Sequence, residues 1–88
     1  MVKAYVLIKA ASGKEEAVIK KLNELSVTDE AHGVFGGYDI VAEIRGRDME
    51  TLIEIVTGKI RKIEGIIDTE TLLIVDFDLD IASSGLAS

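Results

Sequence analysis

The chain has no cysteine, no proline, no tryptophan and a single histidine. Without cysteine there are no disulfides, iron–sulfur clusters or thiolate metal sites, which fits a reducing, cytoplasmic setting. No proline and no low-complexity linker divides the 88 residues, a length that makes one domain. The lone His32 has no nucleophile or paired carboxylate at a catalytic spacing, and no phosphate-loop or dinucleotide fingerprint occurs. No apolar run approaches the ~20 residues of a membrane span. The N-terminal "MVKAYVLIKA" is too short, and too interrupted by lysine, for a signal peptide. Cations are scarce as well: 10 Lys and Arg face 16 Asp and Glu, for a net charge of −6. Nucleic-acid binding needs a basic footprint, so direct nucleic-acid contact is not expected. The nearest basic stretch, "GKIRKIEG", reads as a solvated helix face with cations near the negative end of the dipole.

What the chain does have is apolar content. Hydrophobic residues make up 48% of it, beside 30% charged residues, and its mean hydropathy is +0.28. Small domains are marginal alone, and packing against another chain is a common remedy.

Val2 to Ala10 alternates, with Val2, Ala4, Val6 and Ile8 on one side and Lys3, Tyr5, Leu7 and Lys9 on the other. That is a strand. Ser12, with Glu15 three residues on, predicts a capping box for a helix to about Leu25. Val18, Ile19, Leu22 and Leu25 give that helix an apolar stripe. Val27 to Phe35 reads as a weak strand. Tyr38 to Arg45 is a clearer one, with Tyr38, Ile40, Ala42 and Ile44 sharing a face. Asp48 is a good N-cap for a helix whose Met49, Leu52, Ile53, Val56, Ile60 and Ile63 step by three and four. Gly58 predicts a bend within it and Gly65 its stop, before a last strand from Ile66 to about Leu79.

The order β-α-β-β-α-β predicts an α+β, ferredoxin-like domain over residues 1–79. Its four-stranded antiparallel sheet carries both helices on one face. Residues 80–88, ending "IASSGLAS", read as a flexible tail. An antiparallel sheet with one wet face alternates strictly. Here "TLLIV" is apolar on both sides, and Tyr5 and Leu7 oppose Val6 and Ile8. The uncovered face therefore predicts a homodimer built sheet against sheet.

"GGYDIVAEI", "GRDMETL" and "KIRKIEGIIDTETLLIV", in that order, resemble the C-terminal effector domain of the Lrp/AsnC transcription regulators, the RAM domain. The most specific parts are Gly-x-Tyr-Asp at 36–39 and Gly-Ile-x-x-Thr-x-Thr at 65–71, and the likeness covers about Lys3 to Phe77. Full-length members carry an N-terminal helix-turn-helix domain, whereas here the first strand starts at Met1. The expectation is a stand-alone RAM domain. The resemblance implies a non-enzymatic module without a cofactor. Its dimers would assemble into a higher oligomer, an octameric ring, with an amino-acid effector bound where dimers meet. It also implies co-assembly with full-length Lrp-like regulators. By position it points to Gly36, Gly37, Tyr38, Asp39, Asp48, Thr69 and Thr71 as effector-binding residues.

Each of these has a plainer reading. The glycines serve a four-residue hairpin turn, and such a turn also offers N–H groups to a carboxylate. Asp39 either caps the turn or receives an ammonium group. Asp48 caps a helix. Thr69 and Thr71 are ordinary strand residues whose hydroxyls can also orient a polar ligand. Asp76, Asp78 and Asp80 in "DFDLD" alternate as a charge-protected strand end; a Ca²⁺ or Mg²⁺ site needs more oxygens in a turning loop. Three rival readings remain: an oligomeric scaffold without a working effector site, an ACT-like sensor, and a small ferredoxin-like enzyme. The last lacks an acid–base pair.

Overall fold

The computed structural model describes residues 1–75. The alternating first segment forms β1 (Val2–Ala10), followed by α1 (Glu15–Glu24), β2 (Thr28–Gly33) and β3 (Ile40–Gly46). Next come α2 (Met49–Ile55), a π-helical turn (Val56–Ile60) that continues it, and β4 (Ile66–Leu73). The sheet order is β2-β3-β1-β4. Every neighbouring pair is antiparallel, with Val6 opposite Ala42 on one side and Thr71 on the other. This is the ferredoxin-like α+β arrangement that the element order predicts. Pairing runs past β4, where the Ile74 N–H donates to the Lys3 carbonyl at 3.0 Å. The remainder of the expected last strand, the "DFDLD" aspartates and the tail lie outside the described residues.

β1 lies inside the sheet, hydrogen-bonded to β3 on one side and β4 on the other, and buries one face. Ala4, Val6 and Ile8 are fully buried beside Ile40, Ala42 and Ile44 of β3. Val18 and Leu22 of α1 and Leu52, Ile55, Val56 and Ile60 of the second helical segment close over them. Fully burying one such aliphatic side chain is worth about 1.5–3 kcal/mol, so this layer holds the domain together.

The local differences from expectation have physical causes. The capping box on Ser12 does not form. The Lys14 N–H bonds to Ala11 O at 2.9 Å, closing a tight turn through Ser12 and Gly13. Lys14 then takes the cap position without a side-chain bond. Glu15 and Glu16 still place charge favourably against the helix dipole. In α2, Ile55 is buried while Met49 and Ile53 are 51% and 56% exposed. A step-of-three-and-four pattern fits two adjoining helix faces, and the sheet selects the Leu52–Ile55–Val56 side.

The bend foreseen at Gly58 is a π-helical turn, with the Arg61 N–H on Val56 O at 2.9 Å. Gly65 lies beyond the helix end rather than at it. Its φ is +100°, and a Cβ there would sit 2.9 Å from Lys14 Cβ. Glycine lets β4 enter against the start of α1.

Candidate functional site

The β2–β3 connection is the four-residue hairpin loop expected from the glycine pair. The Val34 N–H donates to Asp39 O at 2.9 Å, leaving Phe35, Gly36, Gly37 and Tyr38 outside the closing pair. Gly36 has φ +139°, and Gly37 lies outside the positive-φ region. Only the first glycine is therefore demanded by the backbone. Phe35 at the tip is fully exposed.

Asp39 is tied three times. Its N–H donates to Ile8 O and its carbonyl accepts from Val34. Its carboxylate Oδ2 accepts from the Ala10 N–H at 2.9 Å. The β1–β3 pairing ends at Ile8 opposite Ile40, and the carboxylate takes up the next β1 donor on that side, the Ala10 N–H. Asp39 also lines a surface hollow with Glu15, Gly33, Val34 and Phe35.

The chain bends at Asp39, so Tyr38 does not share the Ile40 face as alternation predicted. Its hydroxyl donates to Glu70 Oε1 at 3.3 Å, and Lys9 Nζ lies 5.9 Å from its ring centroid. Glu70 stands opposite Leu7 on β1, so Tyr38 joins the uncovered face. Its phenol pKa is raised, first by desolvation and then by the Glu70 carboxylate.

Thr69 and Thr71 stand opposite Ile8 and Val6, on the helix side of edge strand β4. With Thr57 and Arg61 they line a groove of about 240 Å³ whose apolar wall is Leu52, Ile53, Val56 and Leu73. Arg61 Nε donates to Thr69 Oγ1 at 3.1 Å, and the Thr57 hydroxyl donates to Ile53 O at 2.8 Å. The sequence reading missed Arg61, because "GKIRKIEG" looks like one solvated face. The structure splits it. Lys59 and Lys62 line a hollow between the helical segments with Lys20 and Lys21, while Arg61 faces β4. The signal for this was Gly58, which marks where the helical phase changes.

Asp48 caps α2, its Oδ1 accepting the Thr51 N–H at 2.7 Å. That hydrogen bond lowers its pKa, with Arg47 adding a smaller push. Asp48 follows the far end of β3 from the hairpin loop. Seven residues of strand span roughly 20 Å. One chain therefore gathers Gly36–Asp39 at one end of the sheet, Thr69 and Thr71 in the α2–β4 groove, and Asp48 at the other end.

His32 is exposed, with Nε2 3.3 Å from Glu30 Oε1. Among the described residues no three His, Asp or Glu side chains gather as a metal site. No helix of the described residues is long and apolar enough to cross a membrane.

Residues 3–76 match the family model described as the Lrp/AsnC ligand-binding domain. An uncharacterised helix-turn-helix transcriptional regulator of Pyrococcus abyssi is 32% identical over 71 residues, covering 81% of this chain and 45% of its own length. The chain thus spans about half the length of that curated relative. A solved protein of Thermus thermophilus is 38% identical with a TM-score of 0.82, covering 86% of this chain and 95% of that one. Escherichia coli AsnC is 28% identical with a TM-score of 0.80, over 85% of this chain and 51% of its own. The family is one of transcription regulators rather than enzymes. On the match over residues 3–76, the chain belongs to the Lrp/AsnC ligand-binding domain family.

Proposed function

We propose that the chain is an amino-acid-responsive assembly module of the cytoplasm, acting in transcription regulation. It dimerises through the uncovered sheet face. Dimers assemble into a closed ring, of octameric size by family resemblance. An amino acid binds where dimers meet, using Gly36, Gly37, Tyr38 and Asp39 with Asp48, Thr69 and Thr71. The loop N–H groups suit a carboxylate, and the outward side of Asp39 suits an ammonium group. Full-length Lrp-like regulators are the partners that the same surfaces fit. Ligand that prefers the assembled form shifts assembly by its differential affinity.

The observation that carries this reading is the match of residues 3–76 to a ligand-binding family. The separation of Asp48 from the hairpin loop supports it, because a site using both ends of β3 needs more than one chain. A scaffold without an effector is the second reading. It is favoured by the engagement of Asp39 with the Ala10 N–H, which gives the carboxylate a structural role.

Calorimetry with the twenty amino acids tests the choice, run on protein whose mass is followed by light scattering. Asp39→Asn is the informative variant: the amide oxygen still accepts from Ala10, while the charge that holds an ammonium group is gone. Saturable heat from one or a few amino acids, lost in Asp39→Asn, is the expected result. No heat from any of them on the intact oligomer assigns the scaffold.

A further inference from the structure

The helix side of the domain carries a basic hollow that neither the fold nor the effector reading uses. Lys20 and Lys21 of α1 line it from one helix, and Lys59 and Lys62 from the segment that continues α2. These are four of the chain's ten cations, and only Glu24 and Glu64 of its sixteen acidic residues line the hollow with them. The local surplus is positive in a chain of net charge −6. Among the described residues the one ion pair here joins Lys21 to Glu24, at 3.7 Å between two exposed side chains, and such a pair neutralises little.

Each helix has its own reason for lysine. Lys20 and Lys21 follow Ala17 by three and four, on one side of α1. Lys59 lies in the π-helical turn, and Lys62 follows it by three. The negative end of a helix dipole favours a cation in the last turn, which accounts for Lys21 and Lys59 one helix at a time. It does not account for two helices far apart in sequence presenting lysines to the same hollow. Like charges brought together repel, and an anion between them relieves the repulsion.

Donor type and shape narrow the anion. Every cation in the hollow is lysine, while Arg45, Arg47 and Arg61 lie elsewhere. Arginine's fork suits a planar carboxylate, whereas an ammonium is a compact point charge that meets phosphate oxygens from any direction. The hollow of about 440 Å³ has room for roughly fifteen waters at ~30 Å³ each, more than a single phosphate fills. Its apolar lining is Ala17 and the half-buried Ile63. No aromatic side chain among the described residues lines it, so a nucleobase finds no ring to stack on.

We propose that this hollow binds a short phosphate chain, inorganic or carried by a nucleoside, with Lys20, Lys21, Lys59 and Lys62 as its counter-charges. The site lies on the helix side, so dimerisation through the uncovered sheet face leaves it open. It shares no residue with the amino-acid reading, and the two stand or fall separately.

The test is an NMR titration of the intact protein at fixed salt, following the Ala17 and Ile63 methyl signals. The probes are tripolyphosphate, adenosine triphosphate, orthophosphate, citrate and a short single-stranded oligonucleotide. Tripolyphosphate and adenosine triphosphate are expected to saturate those signals, with orthophosphate and citrate at least tenfold weaker. A nucleotide tighter than tripolyphosphate names the nucleoside form as the source, and one no tighter names the inorganic chain. Lys20→Gln with Lys62→Gln, both exposed, is expected to weaken binding about tenfold or more, since each removes a hydrogen bond to a charged group. Lys14→Gln with Arg47→Gln removes the same charge outside the hollow and should bind as the parent does. Glu64→Gln should tighten binding severalfold, which a structural role for the lysines would not produce. Thermal melting confirms that each variant is folded. The proposal is overturned if neither phosphate chain moves those signals, if the Lys20/Lys62 double variant binds as the parent does, or if citrate binds equally well. An oligonucleotide tighter than both phosphate chains would also overturn it, assigning the hollow to nucleic acid.

Discussion

The two faces of the sheet share the same strands and differ in what covers them. On the helix side, Val6, Ile8, Ile40 and Ile44 are fully buried. On the other side, Tyr5 is 40% and Leu72 46% exposed, opposite one another across β1 and β4. Charged side chains surround them, with Lys3 Nζ 3.5 Å from Glu43 Oε1 and Arg45 Nη1 2.9 Å from Asp29 Oδ1. Each face of β1 is thus a sheet surface, but only one is dry within a single chain. The first face carries the stability of the fold. The second has an apolar centre with a charged rim, the composition of a protein interface, and is the face through which dimerisation is proposed.

Substitutions that break this contrast should differ in kind as well as in size. The largest loss of stability is expected from Ile8→Ala in the covered face, about 2–5 kcal/mol by chemical denaturation. Next is Gly65→Ala, where a Cβ meets Lys14 at a positive φ; strain of this type costs roughly 1–3 kcal/mol, read as a lowered melting temperature.

Leu72→Arg, on the open face, should leave the fold of each chain intact and split the assembly. Circular dichroism would stay unchanged while sedimentation reports a smaller species. A drop in helical and strand signal would instead assign Leu72 to the fold.

The smallest effect concerns Asp48. Its folded pKa lies below the ordinary carboxylate value because it accepts the Thr51 N–H. It therefore contributes stability above the unfolded carboxylate pKa, and that contribution disappears as pH falls through the lower, folded value. Asp48→Asn keeps an oxygen cap and removes that part of the pH dependence. Melting curves between neutral and acid pH should converge for the two proteins as the acid limit is approached, with the parent losing more.

The uneven legibility of the sequence follows the same contrast. β1 and β3 alternate along their length, so their faces could be read from Val6, Ile8, Ala42 and Ile44 directly. A period of two leaves only one alternative assignment. The excess of apolar residues on the other side of β1 and β4 was equally visible, because two-sided strands stand out against a one-sided helical layer.

Helix details were less legible. Met49 and Ile53 satisfy the same spacing as Ile55, and only the docking angle of α2 chooses between them. Ser12 has the right chemistry for a cap, but the turn closed by Ala11 and Lys14 starts the helix later.

The candidate site divides in the same way. Local turn chemistry revealed the Gly36 loop. That the Asp39 carboxylate would take the Ala10 N–H required the β1–β3 pairing. Tyr38 changed faces because the chain bends at Asp39, and Arg61 was hidden because the π-helical turn redirects it toward Thr69. These residues depend on contacts distant in sequence, which spacing does not encode.

The central claim is that the open face binds a second copy and that ligand acts on the resulting assembly. Sedimentation velocity across a wide range of protein concentration, with and without the panel of amino acids, tests it most directly. The account predicts an even-numbered oligomer that one or a few amino acids shift in mass. A monomer at every concentration, unmoved by any of them, would contradict it.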